Sequence, residues 1–313
     1  MDQNNSVEEL QLIARDPAVL RARMATVQVL VWLFIYIDIF MLFTFLSKQV
    51  FRSDTRYVLF AHTLLVDSAF LLLTDLVVLF SYFYVLLPVS KCILLCLLME
   101  IVTKNTAFTI TAMCLERYVA ICMPLRHATI STTSRTMAAL VIIWIFSSLK
   151  ASVDLFILIA IAPQGYFAKP TLCHYEIMIL TRWHCLMRAA FYQVDFVVIM
   201  IIILFCYAKI MLAAQVASGE NQRSASKGRR TLLLHSLQLF LCMVDMWCPY
   251  IEAVVMERSL HAYLTIRFVN FTAFTIVSRA LSPLIYGLRD KKFCLALTYY
   301  MSCRMNNHIS AEA

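Results

Sequence analysis

The chain has 313 residues, 62% of them hydrophobic and 15% charged, with a formal net charge of +8. Soluble domains rarely exceed about 50% apolar usage, and several stretches here reach the roughly 20 apolar residues that cross a bilayer as helix. The composition therefore describes a polytopic helical membrane protein. With only four glycines there is no phosphate loop or dinucleotide fingerprint, and the basic excess fits the cytoplasmic Lys/Arg bias of membrane loops rather than nucleic-acid binding.

Residues 1–25 read as a polar tail without the basic region, apolar core and cleavage site of a signal peptide, so the first span is expected to direct insertion itself. Asn4-Asn5-Ser6 is a glycosylation sequon, usable if this end is extracellular. Span one is expected over residues 26–48 and holds Asp38. Span two, 57–87, holds Asp67 and Asp75 and is broken by Pro88-Val89-Ser90. Span three, 91–122, opens with Cys92 and closes with Glu116-Arg117-Tyr118. Between them lie Glu100 and Lys104, four residues apart and so on one helix face.

Span four, 135–161, holds Trp144, Lys150 and Asp154 and ends before Pro163-Gln164-Gly165. The longest connection, 163–188, contains Cys173 and Cys185. Span five, 189–216, carries Asp195, and a basic linker, 218–230, precedes span six, 231–256, with Trp247 and Pro249. Span seven, 261–288, contains Arg279 and Pro283. Residues 289–300 are too short and polar to span and should lie at the membrane surface as an amphipathic helix, with Phe293, Leu295 and Leu297 among its apolar residues.

With the amino terminus outside, most of the 27 lysines and arginines fall on the cytoplasmic side. That orientation puts Cys92 and Cys173 on the oxidising side, where a disulfide is chemically allowed. Cys185 is the alternative partner, and Cys96 is the nearest candidate for Cys185. No metal-ligand spacing and no catalytic motif is present. Charge at mid-membrane costs roughly 2.5–3.5 kcal/mol per group or more, so Asp38, Asp67, Asp75, Glu100, Lys104 and Arg279 need partners or a ligand. Mutual neutralisation of Glu100 and Lys104 and a polar pocket are both consistent with the residues. At the end of span three, a functional Arg117 and one that only snorkels to the interface are likewise both consistent.

The run Met113-Cys114-Leu115-Glu116-Arg117-Tyr118-Val119-Ala120-Ile121-Cys122-Met123-Pro124-Leu125-Arg126 resembles the Asp/Glu-Arg-Tyr motif of rhodopsin-like G-protein-coupled receptors, in the extended form of the odorant-receptor branch. Met246-Trp247-Cys248-Pro249 resembles the Cys-Trp-x-Pro element, with Met for the first Cys. Ser282-Pro283-Leu284-Ile285-Tyr286 resembles Asn-Pro-x-x-Tyr, with Ser for Asn, and Gly287-Leu288-Arg289-Asp290-Lys291 is similar to the odorant-receptor ending. Lys227, Thr231 and His235 fall as in the odorant-receptor pattern that opens span six. Leu115-Glu116-Arg117-Tyr118 and Thr55-Arg56-Tyr57-Val58-Leu59-Phe60 look most like fish odorant receptors.

The resemblance implies an all-α seven-transmembrane bundle over 26–288, an extracellular tail 1–25, and a short eighth helix with a cytoplasmic tail, 289–313. It implies a small-molecule odorant bound in the outer half of the bundle by Glu100, Lys104, Asp195 and Trp247, and the charges there suit a polar, water-borne one. It implies a heterotrimeric G protein of olfactory or stimulatory type, engaged through Glu116, Arg117, Tyr118, Tyr207 and Tyr286, with membrane lipid as the other partner. Trp247, Pro249 and Pro283 would form the activation pivot, and Cys92–Cys173 the disulfide. Asp67 falls where such receptors hold sodium, and Arg279 is expected to pair with it in place of the ion. Where related receptors latch the Arg to an acid near span six, this chain is basic, so Glu116 is the expected partner of Arg117. No cofactor and no enzymatic activity are implied, and the location is the plasma membrane of sensory cilia. The alternatives are a non-olfactory rhodopsin-like receptor for a lipid or peptide, and a seven-span ligand-gated channel.

Overall fold

The computed structural model describes residues 17–216, 260–287 and 291–301 continuously, with individual residues between 233 and 255. Asn4, Lys227, His235 and Pro249 lie outside the described residues, as does the side chain of Tyr286.

Span one is the helix Pro17–Ser47. It starts ahead of the expected residue 26 because Pro17 occupies the first helical position, where a missing N–H costs nothing. Ala18, Leu20, Arg21, Ala22 and Arg23 then favour helix. The 25/26 domain boundary therefore falls inside a helix. After the short helix Gln49–Ser53, span two runs over Thr55–Tyr82. Asp54 caps it, its carboxylate accepting from the Arg56 backbone N–H at 2.9 Å. Span two stops short of the expected residue 87. Tyr84 turns the chain with φ 53°, and Leu87–Pro88 pairs antiparallel with Pro170–Thr171.

Span three is Val89–Cys122. Pro124 opens the short helix Pro124–Ile130, and span four, Thr133–Ile161, is capped by the Thr132 hydroxyl. Span five is Arg182–Val216, beginning well before the expected residue 189. The polar residues that argued for loop, His184 and Arg188, are buried at 0% and 2% exposure and find partners inside the bundle. The described residues between 233 and 255 are helical. Span seven runs Leu260–Asn270, passes through a π-helical turn Phe271–Ile276, and resumes as Val277–Gly287 with Pro283 inside it. The tail helix is Lys291–Met301.

Among the described residues, five helices are long and apolar enough to cross a membrane. Span three is central and packs on spans two, four and five. The polarity is inverted relative to a soluble protein: Val29, Phe43, Ile142, Phe156 and Ile201 are exposed, while Asp38, Asp67, Glu100, Lys104, Asp154 and Arg188 are buried. Such a surface suits lipid, and the buried polar groups are hydrogen-bonded to one another. Asp38 accepts from Ser68 at 2.9 Å, Asp67 from Thr106 at 2.9 Å, and Asp75 from Gln28. The tail helix buries Phe293 and Leu297 and exposes Leu295. Phe293 lies against Phe51, Tyr57 and Phe60, with ring centroids 5.2, 5.9 and 5.6 Å away.

Candidate functional site

The bundle has two polar ends. At one, the Cys92–Cys173 disulfide ties the start of span three to the loop after span four. Two residues on, Tyr175 enters the bundle and accepts a hydrogen bond from Arg188. Arg188 is the hub. It also donates to Asp154 of span four and, at 3.1 Å, to Glu100 of span three. Its guanidinium carbon lies 5.0 Å from the Tyr175 ring centroid. Glu100 is shared with Lys104 at 2.6 Å, and Lys104 sits 5.0 Å from the Tyr192 ring centroid. On its other oxygen Asp154 meets His184 Nε2 at 2.9 Å.

Glu100, Lys104, Asp154, His184 and Arg188 are each at most 6% exposed. Two carboxylates face a lysine and an arginine, so with a neutral imidazole the cluster carries no net charge. Isolated charges of this kind do not survive in hydrocarbon, and mutual pairing is what makes them tolerable here. Outside the membrane spans, burial pushes the Tyr175 hydroxyl up to about 12, offset in part by Arg188. It therefore stays protonated at neutral pH.

The structure brings the expected pair Glu100 and Lys104 together but directs Asp195 elsewhere. Asp195 pairs with Lys150 of span four, at a partly exposed position. Trp247 is 49% exposed. Sequence reasoning missed His184, Arg188, Tyr175 and Tyr192. The signal was present in His184, Arg188 and Tyr192, which recur every four residues and so line one helix face.

The Asp67–Arg279 pair requires correction. Arg279 makes its ion pair with Asp245 of span six at 3.2 Å. It also donates to the Thr275 carbonyl at 2.9 Å and lies 3.6 Å from the Phe70 ring centroid. The reason is local. Asp245 already accepts from Thr275, one turn before Arg279, and this presents its second oxygen to the guanidinium. Asp67 is instead held by Thr106.

At the other end, Arg117 Nε lies 3.4 Å from Glu116, and His127 Nε2 lies 3.4 Å from the second Glu116 oxygen. The Tyr118 ring is 5.4 Å from Phe205 of span five, and Tyr207 packs against the adjoining core. Thr55 meets Ser131 at 2.9 Å and Thr133 donates to the Ser53 carbonyl at 3.0 Å, joining the two short connections beside this end.

A model of the 7 transmembrane receptor (rhodopsin family) matches residues 21–286. Odorant receptor 131-2 of Danio rerio is 44% identical over 287 residues, covering 91% of this chain and 87% of that one. Olfactory receptor 2M7 of Homo sapiens is 25% identical over 211 residues, 62% of each chain. Melanopsin of Felis catus is 24% identical over 217 residues, 64% of this chain and 44% of that one.

Proposed function

Since the chain belongs to the rhodopsin family of seven-transmembrane receptors and to its odorant-receptor branch, we propose that it senses a small polar, water-borne odorant and signals to a stimulatory or olfactory-type heterotrimeric G protein. It is a receptor and not an enzyme, and it is a multi-pass membrane protein. The amino terminus faces outside, at the plasma membrane of sensory cilia. The observation that carries the ligand reading is the buried cluster of Glu100, Lys104, Asp154, His184 and Arg188 beneath the disulfide-tied loop. An apolar volatile gains nothing from such a lining, whereas a polar ligand can exchange its hydration for these groups.

Binding at this end favours one member of an inactive–active equilibrium. The movement of span six opens the end where Glu116, Arg117 and Tyr118 lie, with Tyr207 and Tyr286 beside them and Pro249 and Pro283 as the places where helices bend. The test is a cyclic-AMP reporter in cells expressing the receptor, screened with amino acids, amines, steroids and bile-acid-like compounds beside Arg117→Ala. Polar compounds should evoke responses that Arg117→Ala abolishes. Responses indifferent to Arg117→Ala would remove the coupling role.

A further inference from the structure

We infer that the cluster around Arg188 is a receiving site for a carboxylate, so that the ligand is an organic acid or amino acid docked by that group. The inference rests on the receptor reading above and narrows its ligand class. Two buried polar atoms in the cluster, Arg188 Nε and His184 Nδ1, have no partner among the described residues. Both residues are almost wholly buried, at 2% and 0% exposure. Leaving such atoms unsatisfied is costly in a membrane interior, and native structures rarely do it without a reason.

The chemistry of the two atoms selects the ligand. Arg188 Nε carries a hydrogen and can only donate. Its two Nη nitrogens are already bonded to Asp154, Glu100 and Tyr175. His184 holds Asp154 through Nε2. A bound carboxylate favours the doubly protonated ring, in which Nδ1 is a second donor one turn before Arg188 on the same helix face. Imidazolium raises the cluster to three cations, Lys104, Arg188 and His184, against two carboxylates, Glu100 and Asp154. The missing charge is one anion. A carboxylate supplies it and can accept from both donors as charge-assisted hydrogen bonds. Lys150 and Asp195 neutralise each other and leave that balance unchanged. Glu100 and Asp154 are each already bonded on both oxygens, so among the described residues an ammonium ligand finds no free carboxylate in the cluster.

The test uses the full-length receptor, the cyclic-AMP reporter, and matched probes: hexanoate, benzoate, L-alanine and L-phenylalanine, each beside its methyl ester, with hexylamine and hexanol as non-acid controls. At least one free acid should activate about tenfold more potently than its ester, the size of a lost charged hydrogen bond. His184→Gln keeps a polar side chain but no cationic donor, and should lower that acid's potency about tenfold or more at equal surface expression. Arg188→Lys keeps the charge without Nε–H and serves where Arg188→Gln fails to reach the surface. It should also lower potency for the acid and leave the ester unchanged. Equal potency of acid and ester, or activation by hexylamine or hexanol with every acid silent, overturns the carboxylate site while leaving the receptor reading intact. Silence to every probe with basal signalling unmoved by Arg117→Ala overturns both.

Discussion

Arg279 of span seven reaches Asp245 of span six at 3.2 Å while its guanidinium covers the Phe70 ring of span two at 3.6 Å. One side chain thus joins three spans. Asp245 is further held by Thr275, inside the π-helical turn of span seven, a kind of helix irregularity that recurs at functional positions. Removing one partner leaves a buried charge exposed to a low dielectric. Arg279→Gln or Asp245→Asn should cost about 3–5 kcal/mol, read as a lower melting temperature in detergent and reduced surface labelling. The double variant should recover part of the loss. Additive losses in the double variant would show that the two groups do not depend on each other.

The two ion pairs nearest the proposed ligand site should behave differently. Lys150 and Asp195 have side chains 23% and 13% exposed and form a single pair rather than a shared one, so Asp195→Asn should cost less than a change in a fully buried, shared pair. Glu100 is shared by Lys104 and Arg188 in full burial, and Glu100→Gln should cost about 3–5 kcal/mol. Thermal unfolding of both variants side by side checks the ranking, and an equal effect would contradict the partition drawn here.

Glu116 meets both Arg117 and His127 at 3.4 Å. Glu116→Gln weakens both contacts by roughly 1 kcal/mol in this partly screened setting, which corresponds to about a fivefold shift toward the released arginine. Basal cyclic AMP should rise by a few-fold, measured against receptor number at the surface. A fall in basal signal would assign Glu116 a role in coupling itself.

The Cys92–Cys173 bond closes a segment with a sequence separation of 81. Loop-entropy arguments put its worth at about 4–5 kcal/mol. Cys173→Ser should therefore lower surface expression, and in the fraction that matures it should blunt ligand response, because Tyr175 two residues later is bonded to Arg188. Cys185→Ser should leave both nearly unchanged, since Cys185 is a free thiol.

Phe293 is 1% exposed and sits among Phe51, Tyr57 and Phe60. Phe293→Ala should cost about 3–5 kcal/mol. Leu295, two residues on, is 73% exposed, and Leu295→Ala should leave the melting temperature nearly unmoved. The contrast separates a tail helix docked on the bundle from one that merely lies on the membrane.

The bundle was legible because hydrophobic run length answers to bilayer thickness, whereas the caps Asp54 and Thr132, which start spans two and four two residues earlier than expected, emerged only in the structure. The glutamate partner of Arg117 and the pairing of Glu100 with Lys104 were legible through proximity in sequence, being one residue apart and one helical turn apart. Partnerships between distant spans were not. Asp245 stands two residues before Trp247, yet nothing in its neighbourhood says that Thr275 orients it toward Arg279. The polar start of span five misled in the opposite direction. His184 and Arg188 look like loop residues until Asp154 and Glu100 supply the buried partners that let the helix extend.

Because Arg188 bonds at once to span three, span four and the disulfide-tied loop, its guanidinium registers how three separately connected parts of the chain are aligned. Shifting any one of them lengthens a bond that the other two hold fixed. A charge in that place works as an alignment sensor, responding when one part moves relative to the other two.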